Sequence, residues 1–278
     1  MDRPDMDANL QCAPCVLRQT LETAQQTDAS DATRERVLRR AAAAISEMSF
    51  AATPMQIAAR AQSIVREETG DGDPFAEHKR VANETVEGLV PELRAGLERA
   101  DDPFEHGVRL AIAGNVIDVG PGHDVDIEAT IEDVLEQPFA VDRLDELRAD
   151  LETASDVLYL ADNAGEIVLD RLLIERLDAD VEVVVKDRPF LNDATAAEAR
   201  AVGLGDVASV RTRGADGVGT ISERFDQRLR EADVVISKGQ GNYELFSDVD
   251  ADVYFLFLVK CGVVADSVGA PEGSIVVA

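Results

Sequence analysis

Five places in the chain put polar and ionisable residues directly after an apolar run, which is where an open α/β sheet delivers side chains to a ligand. Asp162-Asn163-Ala164-Gly165-Glu166 follows 157–161, and Lys186-Asp187 follows 181–185 and runs on to Asn192-Asp193. Lys238-Gly239-Gln240-Gly241-Asn242 follows 233–237, Lys260-Cys261 follows 253–259, and Gly114-Asn115-Val116-Ile117-Asp118 follows 108–113. Asp, Asn and Gly populate turns for reasons of their own, but five such ends on one rim point to a site. Asp162, Asn163 and Asp193 offer two carboxylates and an amide oxygen, a donor set suited to a hard divalent cation such as Mg²⁺ or Mn²⁺. His78, His106 and His123 are the three histidines and stand outside these segments, which disfavours a histidine-rich zinc site. The same spacing also reads as a helix cap, with Asp162-Asn163 opening a helix over 166–177 and Glu166 reaching back. The two readings are compatible.

Lys186 and Lys238 are compact cations suited to phosphate. Gly165, Gly239 and Gly241 would let backbone N–H groups approach an anion. Asn115 and Asn242 are candidates for holding phosphate and sugar oxygens. Glu166 and Asp118 are alternative general bases, and Asp162 is either a ligand only or also a nucleophile. The order GxxxxGK[ST] is absent, and GNVIDVG at 114–120 does not fit GxGxxG, so neither nucleotide-loop pattern is present. Cys12-Ala-Pro-Cys15 has metal-ligand spacing, with Cys261 as a third thiolate, yet no fourth ligand is identified. An odd cysteine count speaks against a disulfide framework, and a structural role is the competing reading.

These residues need a scaffold, and the chain supplies two kinds of pattern. From 10 to about 100 it reads as helices. Val37, Leu38, Ala41, Ala42, Ile45 and Met48 give 34–48 one apolar face. Thr53-Pro54 is a cap followed by proline at the first helical position, and Gly70 closes that segment. Further helices start near Pro74 and Pro91, and Asp101-Asp102-Pro103 is the candidate boundary. Beyond it, VRLAIA (108–113), VLYLA (157–161), VEVVV (181–185), DVVIS (233–237), VYFLFLV (253–259) and SIVVA at the end read as strands. Helices lie between most of them, including 141–153 and 166–177, the latter with Leu169, Leu172, Leu173 and Leu177 on one face. Near-continuous apolar strands alternating with helices predict a mainly parallel sheet covered on both sides. The expected fold class is α/β, a Rossmann-like three-layer α/β/α domain over 104–278 joined to a helical N-terminal domain over 1–103.

Fifty-five Asp and Glu against 27 Lys and Arg leave a net charge of −28. The acids are spread through well-patterned helices, so the reading is a protein of high-salt cytosol, where the Debye length is only about 3 Å and self-repulsion is screened. No basic face exists to displace phosphate counterions, which excludes nucleic acid as a partner. No apolar stretch is long enough to span a membrane and the start lacks the order of a signal peptide, so a cytoplasmic protein is expected. Only four of the basic residues are lysines, Lys79, Lys186, Lys238 and Lys260, and such scarcity suggests specific roles.

CAPCVLRQ (12–19), DPFAEHKRVAN (73–83), AGNVIDVG (113–120), LADNAGEIVLDR (160–171), VVKDRPFLNDAT (184–195), ISKGQGNYE (236–244) and LVKCGVVA (258–265) together resemble the DUF89 family. This family is also called damage-control phosphatases or ARMT1-like, and the likeness is to its short archaeal and prokaryotic branch. The resemblance implies a divalent metal (Mn²⁺, Mg²⁺, Co²⁺ or Ni²⁺) at the positions of Asp162, Asn163 and Asp193. It also implies hydrolysis of small phosphate monoesters, sugar phosphates or damaged phosphometabolites. The Arg-Thr-x-Lys signature of the longer branch is absent, so that branch's substrate preferences are not carried over. The cysteines resemble those of the short branch, which would bring the three together in space. A metal- or metabolite-binding protein without turnover is the alternative. Carboxyl methyl transfer from S-adenosylmethionine is another, against which the missing glycine-rich loop counts.

Overall fold

The computed structural model describes residues 7–116, 127–214 and 219–278. In chain order the elements are α1 (Cys12–Gln25), α2 (Asp31–Glu47), α3 (Pro54–Thr69), α4 (Ala76–Arg99), α5 (Pro103–Val116), α6 (Ile127–Glu136), β1 (Val141–Asp142), α7 (Leu144–Leu151), β2 (Asp156–Leu160), α8 (Glu166–Ile174), β3 (Asp180–Val185), α9 (Ala196–Ala201), β4 (Ser209–Thr212), α10 (Glu223–Glu231), β5 (Val234–Lys238), α11 (Gln240–Phe246), β6 (Val253–Leu258), α12 (Gly262–Val268) and β7 (Ile275–Val277). A short 3-10 turn at Leu204–Asp206 sits between α9 and β4.

The strands form one seven-stranded sheet in the order β1-β7-β6-β5-β2-β3-β4, parallel throughout except for the β6–β7 pair. The period of two along each strand splits its residues between two apolar layers. Val157 and Tyr159 of β2, Ile236 of β5 and Leu256 of β6 join one layer. Leu158 and Leu160, Val235, Phe255 and Phe257 join the other. Helices cover both faces, so the expected three-layer α/β class is the class observed. Val86, Val90 and Leu97 of α4 share the first layer's cluster with β2 and β3. A separate cluster of α1, α2 and α3 forms the helical cap.

The predicted ends of α3 are observed in detail. Thr53 and Gln56 form a reciprocal capping box, Pro54 takes the first turn, and Gly70 closes the helix at φ 73°. Two expectations fail. The run 108–113 is not a strand: it lies inside α5, where Asp102 Oδ1 accepts from the backbone N–H of Phe104 (3.1 Å) and Glu105 (3.0 Å). Asp102-Pro103 is therefore a helix start. Val108, Leu110, Ala111, Ile112 and Ala113 are all buried, and a helix covered on nearly every side presents the same unbroken apolar run as a buried strand. Pro91 likewise starts nothing, because it lies inside the 24-residue α4, whose packed face outweighs one missing backbone bond. Two edge strands went unread. β1 has two residues, and β4 is polar and only partly buried.

Candidate functional site

Chain order reverses between β2 and β5. From β2 the chain moves outward to β3 and β4, then returns to place β5 on the other side of β2. A crevice opens beyond the carboxyl ends of strands at such a switch point. Asp162 follows β2 there, and Gly239 follows β5. A β-carbon on Gly239 would lie 1.9 Å from Asp162 Oδ2, and the backbone has φ 79°, so only glycine permits this approach.

The loop after β3 brings the third residue. A single antiparallel bridge pairs Asn163 with Asp193. Ala194 N–H donates to Asp162 O at 2.8 Å, and Ala164 N–H to Asn192 O at 2.9 Å. Phe190, 3 % exposed, anchors this loop by inserting into the helical cap cluster beside Cys12, Val16 and Met55. Its neighbour Leu191 has φ 48°, the single positive φ outside glycine among the described residues. Asp162, Asn163 and Asp193 thus share the wall of one cavity of about 630 Å³, roofed by α1 and α3.

Burial first, then the charge of Asp193, pushes the Asp162 carboxyl up to about 8. Burial also raises Asp193, against the pull of Lys186. Asn115 Oδ1 is buried without a hydrogen-bond partner among the described residues, and Asp193 Oδ2 meets the Lys186 ammonium at 3.3 Å. Two like-charged carboxylates in one buried place, with the unpartnered Asn115 amide oxygen beside them, fit a hard divalent cation. Among the described residues no three His, Cys, Asp or Glu side chains group as metal ligands, so the fitting set is two carboxylates and an amide oxygen.

The expected phosphate contacts lie one layer further back. Lys238 has no exposed surface and donates to Ala111 O (2.7 Å), Glu166 Oε1 (2.6 Å) and Asp170 Oδ1 (2.8 Å). An ammonium with three donors and three protein acceptors has none left for a phosphate. Lys186 Nζ donates to Asn242 Oδ1 (3.0 Å) and pairs with Asp193 Oδ2 (3.3 Å). Asn242 Nδ2 is held by Ala161 O and Lys238 O. None of Glu166, Lys186, Lys238 or Asn242 lines the large cavity. The N–H groups of Gly239 and Gly165 are also engaged, with Leu256 O and Asn83 Oδ1; Gly241 lines the cavity. Glu166 reaches back to Asn163 N at 3.4 Å as expected, but the cap of α8 is Gly165, with no side-chain cap bond. Asn115 lines the cavity from the end of α5, while Asp118 lies outside the described residues.

The wall carries other groups instead. Lys260 lines the cavity and its charge lowers the Asp162 pKa; its place after an apolar strand was the signal available in the sequence. Arg18 and His78 line it too, from helices where nothing in the spacing marked them. So does Glu244, whose carboxyl burial pushes up to about 7. Cys12, Cys15 and Cys261 line the same cavity as free thiols. Gln240 Nε2 donates to Cys261 Sγ at 3.5 Å, and burial raises the Cys12 thiol.

The family model described as damage-control phosphatase ARMT1-like domain matches residues 8–276. A protein of Methanocaldococcus jannaschii described only as uncharacterised is 32% identical, over 95% of this chain and 92% of that one. A damage-control phosphatase of Pyrococcus horikoshii is 35% identical over 74% and 75% of the two chains. A damage-control phosphatase of Archaeoglobus fulgidus is 34% identical over 79% and 80%. The crystal structure of a DUF89 family protein from Pyrococcus horikoshii superposes with a TM-score of 0.88, at 29% identity and 98% coverage of both chains.

Proposed function

The chain belongs to the damage-control phosphatase ARMT1-like family, and from that premise we propose that it hydrolyses small phosphate monoesters in the cavity beyond β2 and β5. The observation that carries this reading is the convergence of Asp162, Asn163 and Asp193 on one cavity wall, beside an Asn115 Oδ1 that is buried without a partner among the described residues. A divalent cation at Asp162, Asn163 and Asp193, Mn²⁺ or Mg²⁺ by donor type, would neutralise phosphoryl charge and orient the attack.

The chain's own groups do the rest. Lys260 and Arg18 supply positive charge on a wall that is otherwise acidic and draw the phosphate dianion inward. Lys186 sits behind Asp193 and fixes that carboxylate from the rear. Glu244, a carboxyl near neutrality on the same wall, is placed to hold the proton that the leaving alkoxide takes up. Glu166, which accepts from Lys238 Nζ and from the side-chain amides of Asn115 and Asn163, is not available as the base. The volume beyond a phosphate leaves room for a metabolite-sized organic group.

The charge balance supports work in a high-salt cytosol. No helix among the described residues is long and apolar enough to cross a membrane. The test is a panel of phosphate esters at molar KCl with Mn²⁺, Mg²⁺, Co²⁺ or Ni²⁺ added, on wild type and Asp162→Ala. Turnover by wild type and its loss in a folded Asp162→Ala protein is the expected result. Full activity in that variant sinks the assignment, and binding of metal without turnover of any ester favours a metabolite-binding role.

A further inference from the structure

Behind the cavity wall lies a chain of buried polar groups that touches neither solvent nor cavity. Tyr159 Oη–H donates to Asp170 Oδ1 at 2.7 Å, and Lys238 Nζ donates to the same oxygen, to Ala111 O and to Glu166 Oε1. The second Glu166 oxygen faces the site. Oε2 accepts from Asn163 Nδ2 at 3.0 Å and Asn115 Nδ2 at 3.2 Å. Asp162 Oδ2 accepts from the same two amides, at 2.8 Å and 3.1 Å. Each carboxamide therefore has its NH₂ group held between two carboxylates. An amide whose donors are committed on one side must turn its oxygen to the other, and Asn115 Oδ1 is indeed buried with no partner among the described residues. Gly114 lets the parts meet, since a β-carbon there would lie 2.9 Å from Glu166 Cα.

We propose that Lys238 and Glu166 are positioning residues: the buried pair clamps the NH₂ groups of Asn163 and Asn115 so that both amide oxygens, with Asp162, are presented to a divalent cation and its ligand. The proposal rests on the reading of Asp162, Asn163 and Asp193 as a cation site. Glu166 serves because a carboxylate only accepts, and the amide neighbours only donate toward it. Lys238 serves because a carboxylate with almost no exposure requires a buried countercharge. Outer groups that orient ligands in this way matter to affinity by roughly 10–100-fold.

Glu166→Gln tests this directly. The substitution keeps shape but places an NH₂ among donors, so one asparagine must rotate or lose its hold. Mn²⁺ alone is the probe, titrated calorimetrically into metal-stripped wild type, Glu166→Gln, Lys238→Met and Asp162→Asn, each well below its own Tm. The expected result is a Kd raised roughly 10–100-fold in Glu166→Gln and Lys238→Met, with no measurable binding in Asp162→Asn. A lowered Tm with an unchanged Mn²⁺ Kd in Glu166→Gln is the signature of a merely structural pair and overturns the proposal. If Lys238→Met does not fold, Glu166→Gln decides alone. Wild type that binds no divalent ion overturns both the proposal and the cation site beneath it, a result distinct from an unchanged Kd.

Discussion

A β-carbon on Gly239 would meet Asp162 Oδ2 at 1.9 Å while the backbone sits at φ 79°, ψ 153°, so Gly239→Ala combines a clash with a conformational cost of about 1–3 kcal/mol. The expected outcome is a folded protein with a lower Tm and ester turnover reduced at least as far as in Asp162→Ala. Near-normal turnover would show that Asp162 has room to move. Asp162 also gives a pH prediction. Its carboxyl rises from an ordinary 3.8 to about 8 because burial and Asp193 penalise the charged form. Between those values the folded, metal-free chain keeps a proton that the unfolded chain releases. Stability of the metal-free protein therefore falls as pH rises across that window, and Asp162→Asn flattens the slope. A cation needs the ionised form, so binding should expel protons and tighten toward pH 8. Calorimetry at about pH 6.5 in buffers of different ionisation heat reads this directly, and an uptake of protons would contradict it. At this scale the meeting of Asp162, Asn163 and Asp193 on one cavity wall was legible from their position after strands. Lys238 was not, because a lysine after a strand reads alike whether its ammonium meets a ligand or three buried acceptors.

Helix starts and loop anchors set where those residues stand. Asp102 caps α5 and also meets Arg148 at 2.5 Å, and α5 ends in Asn115. Asp102→Ala should cost about 1 kcal/mol of stability, measured by urea unfolding, with ester turnover largely kept because the apolar face of α5 still docks. Phe190 is different in kind. It is 3 % exposed inside the helical cap, two residues before Asn192 and three before Asp193. Phe190→Ala should destabilise by roughly 3 kcal/mol or more and weaken Mn²⁺ binding as well, since the Asp193 loop loses its anchor. Unchanged Mn²⁺ affinity in the folded variant would show that the bridge to Asn163 suffices. α5 was unreadable from periodicity because 107–115 is buried apart from a partly exposed Arg109, which leaves no broad polar stripe. The interaction that did mark it, Asp102-Pro103 as cap and first turn, has the same letters as a chain break.

The molecule as a whole carries −28 charges, and its arginines are largely spent on local pairs, such as Arg36 and Arg40 with Glu67 and Glu68 between α2 and α3. Such exposed pairs contribute little each, whereas the unbalanced acids repel over the whole surface at low ionic strength. Raising KCl from about 0.1 M to 1 M shortens the Debye length from about 10 Å to about 3 Å. Tm should therefore rise with KCl, as should ester turnover. A Tm that is flat or falls over this range would remove the high-salt reading.

The parallel sheet, its helical covering, the helical beginning and the acidic character could all be read from the letters, because hydropathy period and charge are local properties that need no partner. The ordered motifs carried the family in the same way. Which side chains face the cavity is a different kind of fact. Lys186, Lys238, Asn242 and Glu166 stand behind the wall, and Lys260, Arg18, His78 and Glu244 stand on it. That division is made by the return of β5 beside β2, by Phe190 seated in the cap, and by the approach of Gly239 to Asp162. Each depends on segments far apart in the chain meeting, and a pattern along one segment holds no record of which segment it will meet.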